Sequence, residues 1–172
     1  QYQEVSEQLR DQCRLLFLEE QSFPDDLAAC LHLPEPTDGF VPCSGWRGRP
    51  VQKIERQPEQ FARVLFVVDD CIFVGGFDYA RLAEVLESQR EVLGCSLRLG
   101  RNCTTNYMAR CDQQLPPLEP LADGLVSFRW EAADGDFGYP LEVSSSLYRV
   151  SDILPAVHAR PANPNLLEAE LV

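Results

Sequence analysis

The sequence predicts an α/β domain with a mainly parallel mixed sheet, and three observations predict it. Arg63-Val64-Leu65-Phe66-Val67-Val68 is an apolar run rich in Val and too short for a helix, so it reads as a central strand buried on both faces. Two adjacent carboxylates, Asp69 and Asp70, end that run where the loops leaving an α/β sheet form a ligand crevice. Beyond them, Leu82, Val85 and Leu86 at helical spacing lead to a second apolar run over residues 93–99.

At 172 residues the chain reads as a single domain, 1–172, long enough to bury a core. Its 45% hydrophobic and 24% charged residues are those of a globular protein. A net charge of -12 argues against a nucleic-acid-binding surface, which needs clustered Lys and Arg. Of the 15 basic residues only Lys53 is lysine, so chemistry that needs a lysine downstream of the acidic pair is excluded. No run approaches the ~18 apolar residues expected of a transmembrane segment, and no stretch reads as a secretory signal. The 7 cysteines contain no Cys-x-x-Cys pair, and Cys71 and Cys95 sit in apolar runs as small hydrophobes. A cytoplasmic, reducing location is expected. Cys95, Cys103 and Cys111 recur every 8 residues, which matches no zinc spacing.

Taken in order, Val5, Leu9 and Cys13 share a helical face and predict a surface helix over 2–12, followed by a short buried strand over 15–18. Pro24 suits the entry to a helix over 25–31, with Asp25 and Asp26 as its acidic first turn. The Pro/Gly-rich stretch 33–50, which holds Trp46, Arg47 and Arg49, is expected to be a long loop. After the central strand, Gly75-Gly76 turns the chain into a helix over 77–92 with Asp78 as its N-cap. A second central strand over 93–99, a polar loop over 102–114, an alternating strand over 125–130 and a turn over 133–140 follow. Residues 141–150 include another short strand. Ser151-Asp152 are placed to cap a helix from Ile153, and Asn163-Pro164-Asn165 opens a last helix over 166–169.

Adjacent carboxylates suit a hard divalent cation, Mn2+ or Mg2+, which bridges to phosphate oxygens and neutralises a departing diphosphate. Asp69 and Asp70 either hold such an ion or simply end the strand; their mutual repulsion favours the ion. A response-regulator receiver needs a later lysine, and Lys53 lies upstream. A haloacid-dehalogenase-type phosphatase needs Asp-x-Asp followed by Thr or Val, whereas Cys71-Ile72 follows here. Asp136, in a glycine-flanked turn, is the candidate base for an acceptor hydroxyl, with a turn-forming Asp as the alternative. Arg98 and Arg101 follow a strand and suit diphosphate oxygens bidentately. His158 either adds a metal nitrogen or packs on its helix. Ser144, Ser145 and Ser146 suit sugar hydroxyls; no nearby Lys or His completes a nucleophilic serine site.

Phe17-Leu18-Glu19-Glu20 with Phe23, the run from Val64 through Asp69-Asp70 to Phe73, and Cys95-Ser96-Leu97-Arg98-Leu99-Gly100-Arg101-Asn102 together resemble a bacterial glycosyltransferase-like family of GT-A fold. So do Phe128-Arg129-Trp130, the stretch from Gly135-Asp136-Phe137-Gly138-Tyr139-Pro140 to Ser144, Tyr148-Arg149, Asp152-Ile153-Leu154-Pro155 and Asn163-Pro164-Asn165 with Leu167-Glu168. The resemblance spans most of the chain outside the Pro/Gly-rich loop. It implies a Rossmann-type three-layer sandwich, here truncated at its N-terminal strand, and a nucleotide-diphospho-sugar donor. It further implies a divalent metal at Asp70 with Asp69 alongside, and an acceptor hydroxyl on a glycan, a lipid-linked or a small molecule. The family's carboxylates flank one residue, whereas Asp69 and Asp70 are adjacent. The alternative reading is a non-catalytic relative that binds carbohydrate or a protein partner through the same crevice.

Overall fold

A computed structural model describes residues 21–31, 62–68, 71–139 and 141–171. The expected helix over 2–12, the strand over 15–18, the loop over 33–50 and the pair Asp69-Asp70 lie outside the described residues. In chain order the elements are α1 (Phe23–Cys30), β1 (Arg63–Leu65), α2 (Tyr79–Ser88), β2 (Gly94–Ser96), β3 (Thr105–Asn106), β4 (Cys111–Asp112), β5 (Glu119–Pro120), β6 (Val126–Ser127), β7 (Ser146–Arg149), α3 (Val150–His158) and α4 (Pro164–Leu171).

Local chemistry accounts for several element ends. The α1 helix starts ahead of the expected Asp25 because Pro24 fits its first turn, and Asp26 there accepts the backbone N–H groups of Gln21 and Ser22 at 2.8 and 3.0 Å. Asp78 caps α2 by accepting from Arg81 N at 3.2 Å, as its place before the helical pattern predicts. The α3 helix begins at Val150, straight out of β7, so Ser151 and Asp152 lie within its first turn instead of capping it. Residues 102–114, expected as a loop, contain the small β3–β4 hairpin, with Thr105 opposite Asp112 and Asn106 opposite Cys111.

Among the described residues the expected parallel sheet is absent. The main sheet has three strands in the order β1-β7-β2, and β7 runs antiparallel to both neighbours. The β3–β4 and β5–β6 pairs are antiparallel as well, so among the described residues no parallel pairing supports a Rossmann-type three-layer sandwich. The apolar run at Val64 is an edge strand. Arg63, Val64 and Leu65 are each only partly buried and Val67 is 46% exposed, while every residue of β7 is buried. The central position went to Ser146-Leu147-Tyr148-Arg149, whose polar members lower its apolar signal. They tolerate burial because each is hydrogen-bonded: Ser146 Oγ donates to Glu142 Oε1 at 2.8 Å, and Arg149 donates to three carbonyls.

Successive β7 side chains point to opposite faces of the sheet. Leu147 packs with Leu82 and Leu86 of α2, and Tyr148 packs with Leu27, Ile153, Ala156, Val157 and Leu167 from α1, α3 and α4. A Cβ at Gly94 would lie 2.5 Å from the Tyr148 ring, so β2 can approach β7 this closely only with glycine there. No helix among the described residues is long and apolar enough to cross a membrane.

Candidate functional site

The antiparallel sheet brings the ends of β1 and β2 together with the start of β7. Past β1, Phe66 N donates to Ser146 O at 3.0 Å and Val68 N to Ser144 O at 3.2 Å, which continues the ladder to the edge of the acidic pair. Past β2, Leu97 N donates to Ser145 O at 2.9 Å. Cys71 then donates its thiol to the same Ser144 carbonyl at 3.2 Å, and its N–H to Val68 O at 3.2 Å. The residues on either side of Asp69-Asp70 are therefore both fixed to Ser144.

Arg98 stands at this same end. Its guanidinium lies 3.5 Å from Asp136 Oδ1 and 3.9 Å from Glu142 Oε2, so one cation spans two carboxylates. Its backbone N–H and that of Leu99 donate to Ser96 Oγ at 3.2 and 3.1 Å, which fixes the turn leaving β2. Asp136 sits in a short 3-10 turn, Gly135–Gly138, anchored by Phe137. That ring is buried and meets Phe128 edge-on at 5.1 Å. Gly135 has a φ of 60°, a left-handed conformation that favours glycine.

Glu142 is 3% exposed and accepts from Ser144 N at 3.1 Å, Ser145 Oγ at 3.0 Å and Ser146 Oγ at 2.8 Å. Three donors and the nearby Arg98 make burial of this carboxylate tolerable. The hydroxyls of Ser145 and Ser146 are thus committed to Glu142 and do not await sugar hydroxyls. From the distant α4, Glu168 accepts from Val143 N at 2.8 Å and from Tyr139 Oη at 3.3 Å, pinning the segment between Asp136 and the serines. Burial, and next the negative charge of Glu168, raise the Tyr139 phenol above its ordinary value and keep it a donor.

Of the residues singled out in the sequence, Arg98 and Asp136 are brought into contact. Asp69 and Asp70 lie outside the described residues, though both their described neighbours reach the same sheet end. Arg101 is exposed in the turn beyond Arg98. His158 is exposed in the last turn of α3. Among the described residues no cluster of three His, Cys, Asp or Glu side chains is arranged to hold a metal ion. Gln113, Glu142 and Glu168 were missed. Glu142 carried one signal, an acid just ahead of three serines whose donors fall within reach of its carboxylate; Glu168 stood only within the resemblance, with no role assigned, and Gln113 carried no signal, because the partners of both are distant in sequence.

The class that fold and site define is a small domain of helices packed on a short antiparallel sheet, with an Arg-bridged carboxylate cluster at one end of that sheet. Compared with family models, curated proteins and solved structures, the chain matches none of them.

Proposed function

We propose that the chain transfers a sugar from a nucleotide-diphospho-sugar to an acceptor hydroxyl, with Mn2+ or Mg2+ held at Asp70 and Asp69. The observation that carries this reading is the convergence at Ser144. The neighbours of the acidic pair are bonded there, at the sheet end where Arg98 and Asp136 meet. In this reading Asp70 and Asp69 would hold the metal, which would supply positive charge toward the departing diphosphate, and Arg98 offers a planar donor to its oxygens. Asp136 takes the proton of the attacking hydroxyl. A carboxylate offers about four lone-pair sites, so its contacts with Gln113 and Arg98 leave room for that proton.

The test is calorimetric titration of uridine and guanosine diphosphates with and without Mn2+. One nucleotide is expected to tighten with the metal, and Asp70→Asn to abolish that tightening while leaving the unfolding midpoint in place. Metal-independent affinity in both proteins overturns the assignment.

One observation favours a second reading, non-catalytic binding of carbohydrate. Arg98 is already shared by two carboxylates, which leaves it less free charge for a diphosphate. Binding of an oligosaccharide without nucleotide or metal would support that reading.

A further inference from the structure

We propose that Gln113 is the positioning residue for Asp136, so that the β3–β4 hairpin sets the direction of the candidate base. The catalytic half of this inference rests on the glycosyl-transfer reading; the positioning half does not.

The Gln113 carboxamide meets Asp136 twice. Oε1 accepts the Asp136 backbone N–H at 3.0 Å, and Nε2 donates to Asp136 Oδ2 at 3.1 Å. The second N–H of the same amide donates to Cys103 O at 3.0 Å, so its donors and its acceptor are all engaged. The partners fix the orientation of the amide: rotated by half a turn, it would set an N–H against the Asp136 N–H and its oxygen against a carboxylate. The backbone is held too, because Gln113 N donates to Thr104 O at 2.9 Å and extends the hairpin one step beyond β4. A Cβ at Gly135 would lie 2.5 Å from Gln113 Oε1, so the turn is shaped to admit this side chain. Arg98 holds the other carboxylate oxygen at the longer distance of 3.5 Å, which leaves the amide as the closer guide.

Two variants separate the roles. Gln113→Ala removes both contacts and is expected to speed hydrogen exchange at the Asp136 amide, followed by NMR, by about tenfold while the β7 amides keep their rates. Unchanged exchange at Asp136 overturns the positioning role. If Gln113→Ala does not fold, Gln113→Asn, one methylene shorter, carries the same measurement. Gln113→Glu keeps an acceptor for the Asp136 N–H but loses the donor to its carboxylate. Its second carboxylate oxygen faces that of Asp136 and repels it, so the variant is expected to cut Mn2+-dependent turnover of UDP-glucose or GDP-mannose, with water as acceptor, by about tenfold. Affinity for the corresponding nucleoside diphosphate should stay within about twofold. Wild-type turnover in Gln113→Glu overturns the catalytic half, as does a wild-type protein that binds nucleotide with metal but never turns the sugar nucleotide over. Failure of wild-type nucleotide binding overturns the glycosyl-transfer reading itself, and the exchange result still decides positioning.

Discussion

Arg149 joins the sheet to α2 by a cap that no local pattern announces. It is 7% exposed, and its guanidinium donates to the carbonyls of Leu86, Val92 and Gln89, each at 2.9 Å, and pairs with Asp152. These carbonyls lie at and just beyond the C-terminal end of α2, where backbone acceptors lack helical partners and a cation is favoured. The planar fork matters as much as the charge, since a lysine ammonium cannot reach three divergent oxygens from one stem. Arg149→Lys is therefore expected to destabilise the fold by about 3 kcal/mol in urea unfolding, through carbonyls left without donors. A loss below about 1 kcal/mol would show that the cap is replaceable by water. Glu142 follows the same logic with the sign reversed, a buried anion surrounded by donors from its own three serines.

The strand that looked central from its composition is an edge, and the strand that looked minor is the centre. Burial tracks the register: Leu147 is 0% exposed between Leu65 and Cys95, while Val67 is 46% exposed. Leu147→Ala is expected to cost about 2–5 kcal/mol, the range for deleting a buried Leu side chain. Val67→Ala should stay within about 0.5 kcal/mol. Equal effects in chemical denaturation would restore the apolar run 63–68 as the core segment. The α2 helix and its Asp78 cap were legible because helix caps and periodicity are local signals. Asp136 was legible as a turn residue for the same reason. The place of β7 was not, because its Ser and Arg read as polar until their partners, Glu142 and the end of α2, are known. The pairing of Arg98 with Asp136 and the clamp at Gln113 depend on contacts more than twenty residues apart, which spacing cannot encode.

Because β7 feeds the packing on both faces of its sheet, ionisation of groups beside it is read out as stability of the chain. Burial pushes the Cys95 thiol from its ordinary 9.0 up to about 11, against a smaller opposing pull from the Arg149 charge. Burial also raises the phenol of Tyr148, whose hydroxyl donates to Glu142 O at 2.7 Å. Above pH 9.0 the unfolded chain gives up the Cys95 proton while the folded chain keeps it until about pH 11. Over that window the folded state binds more protons, so stability falls as pH rises. The contribution is complete below the lower value and spent above the upper one; Tyr148 extends the decline, because its phenol too is harder to ionise in the folded state. The net charge of -12 adds self-repulsion that deepens as further protons leave. Urea midpoints measured at pH 8, 9.5 and 10.5 are expected to fall steadily in the wild-type chain and less steeply in Cys95→Ala. Parallel slopes in the two proteins would remove Cys95 as the cause. Alkylation gives an independent check: at pH 8 the exposed Cys111 should react with iodoacetamide while Cys95, partly buried and held as a neutral thiol, lags behind it.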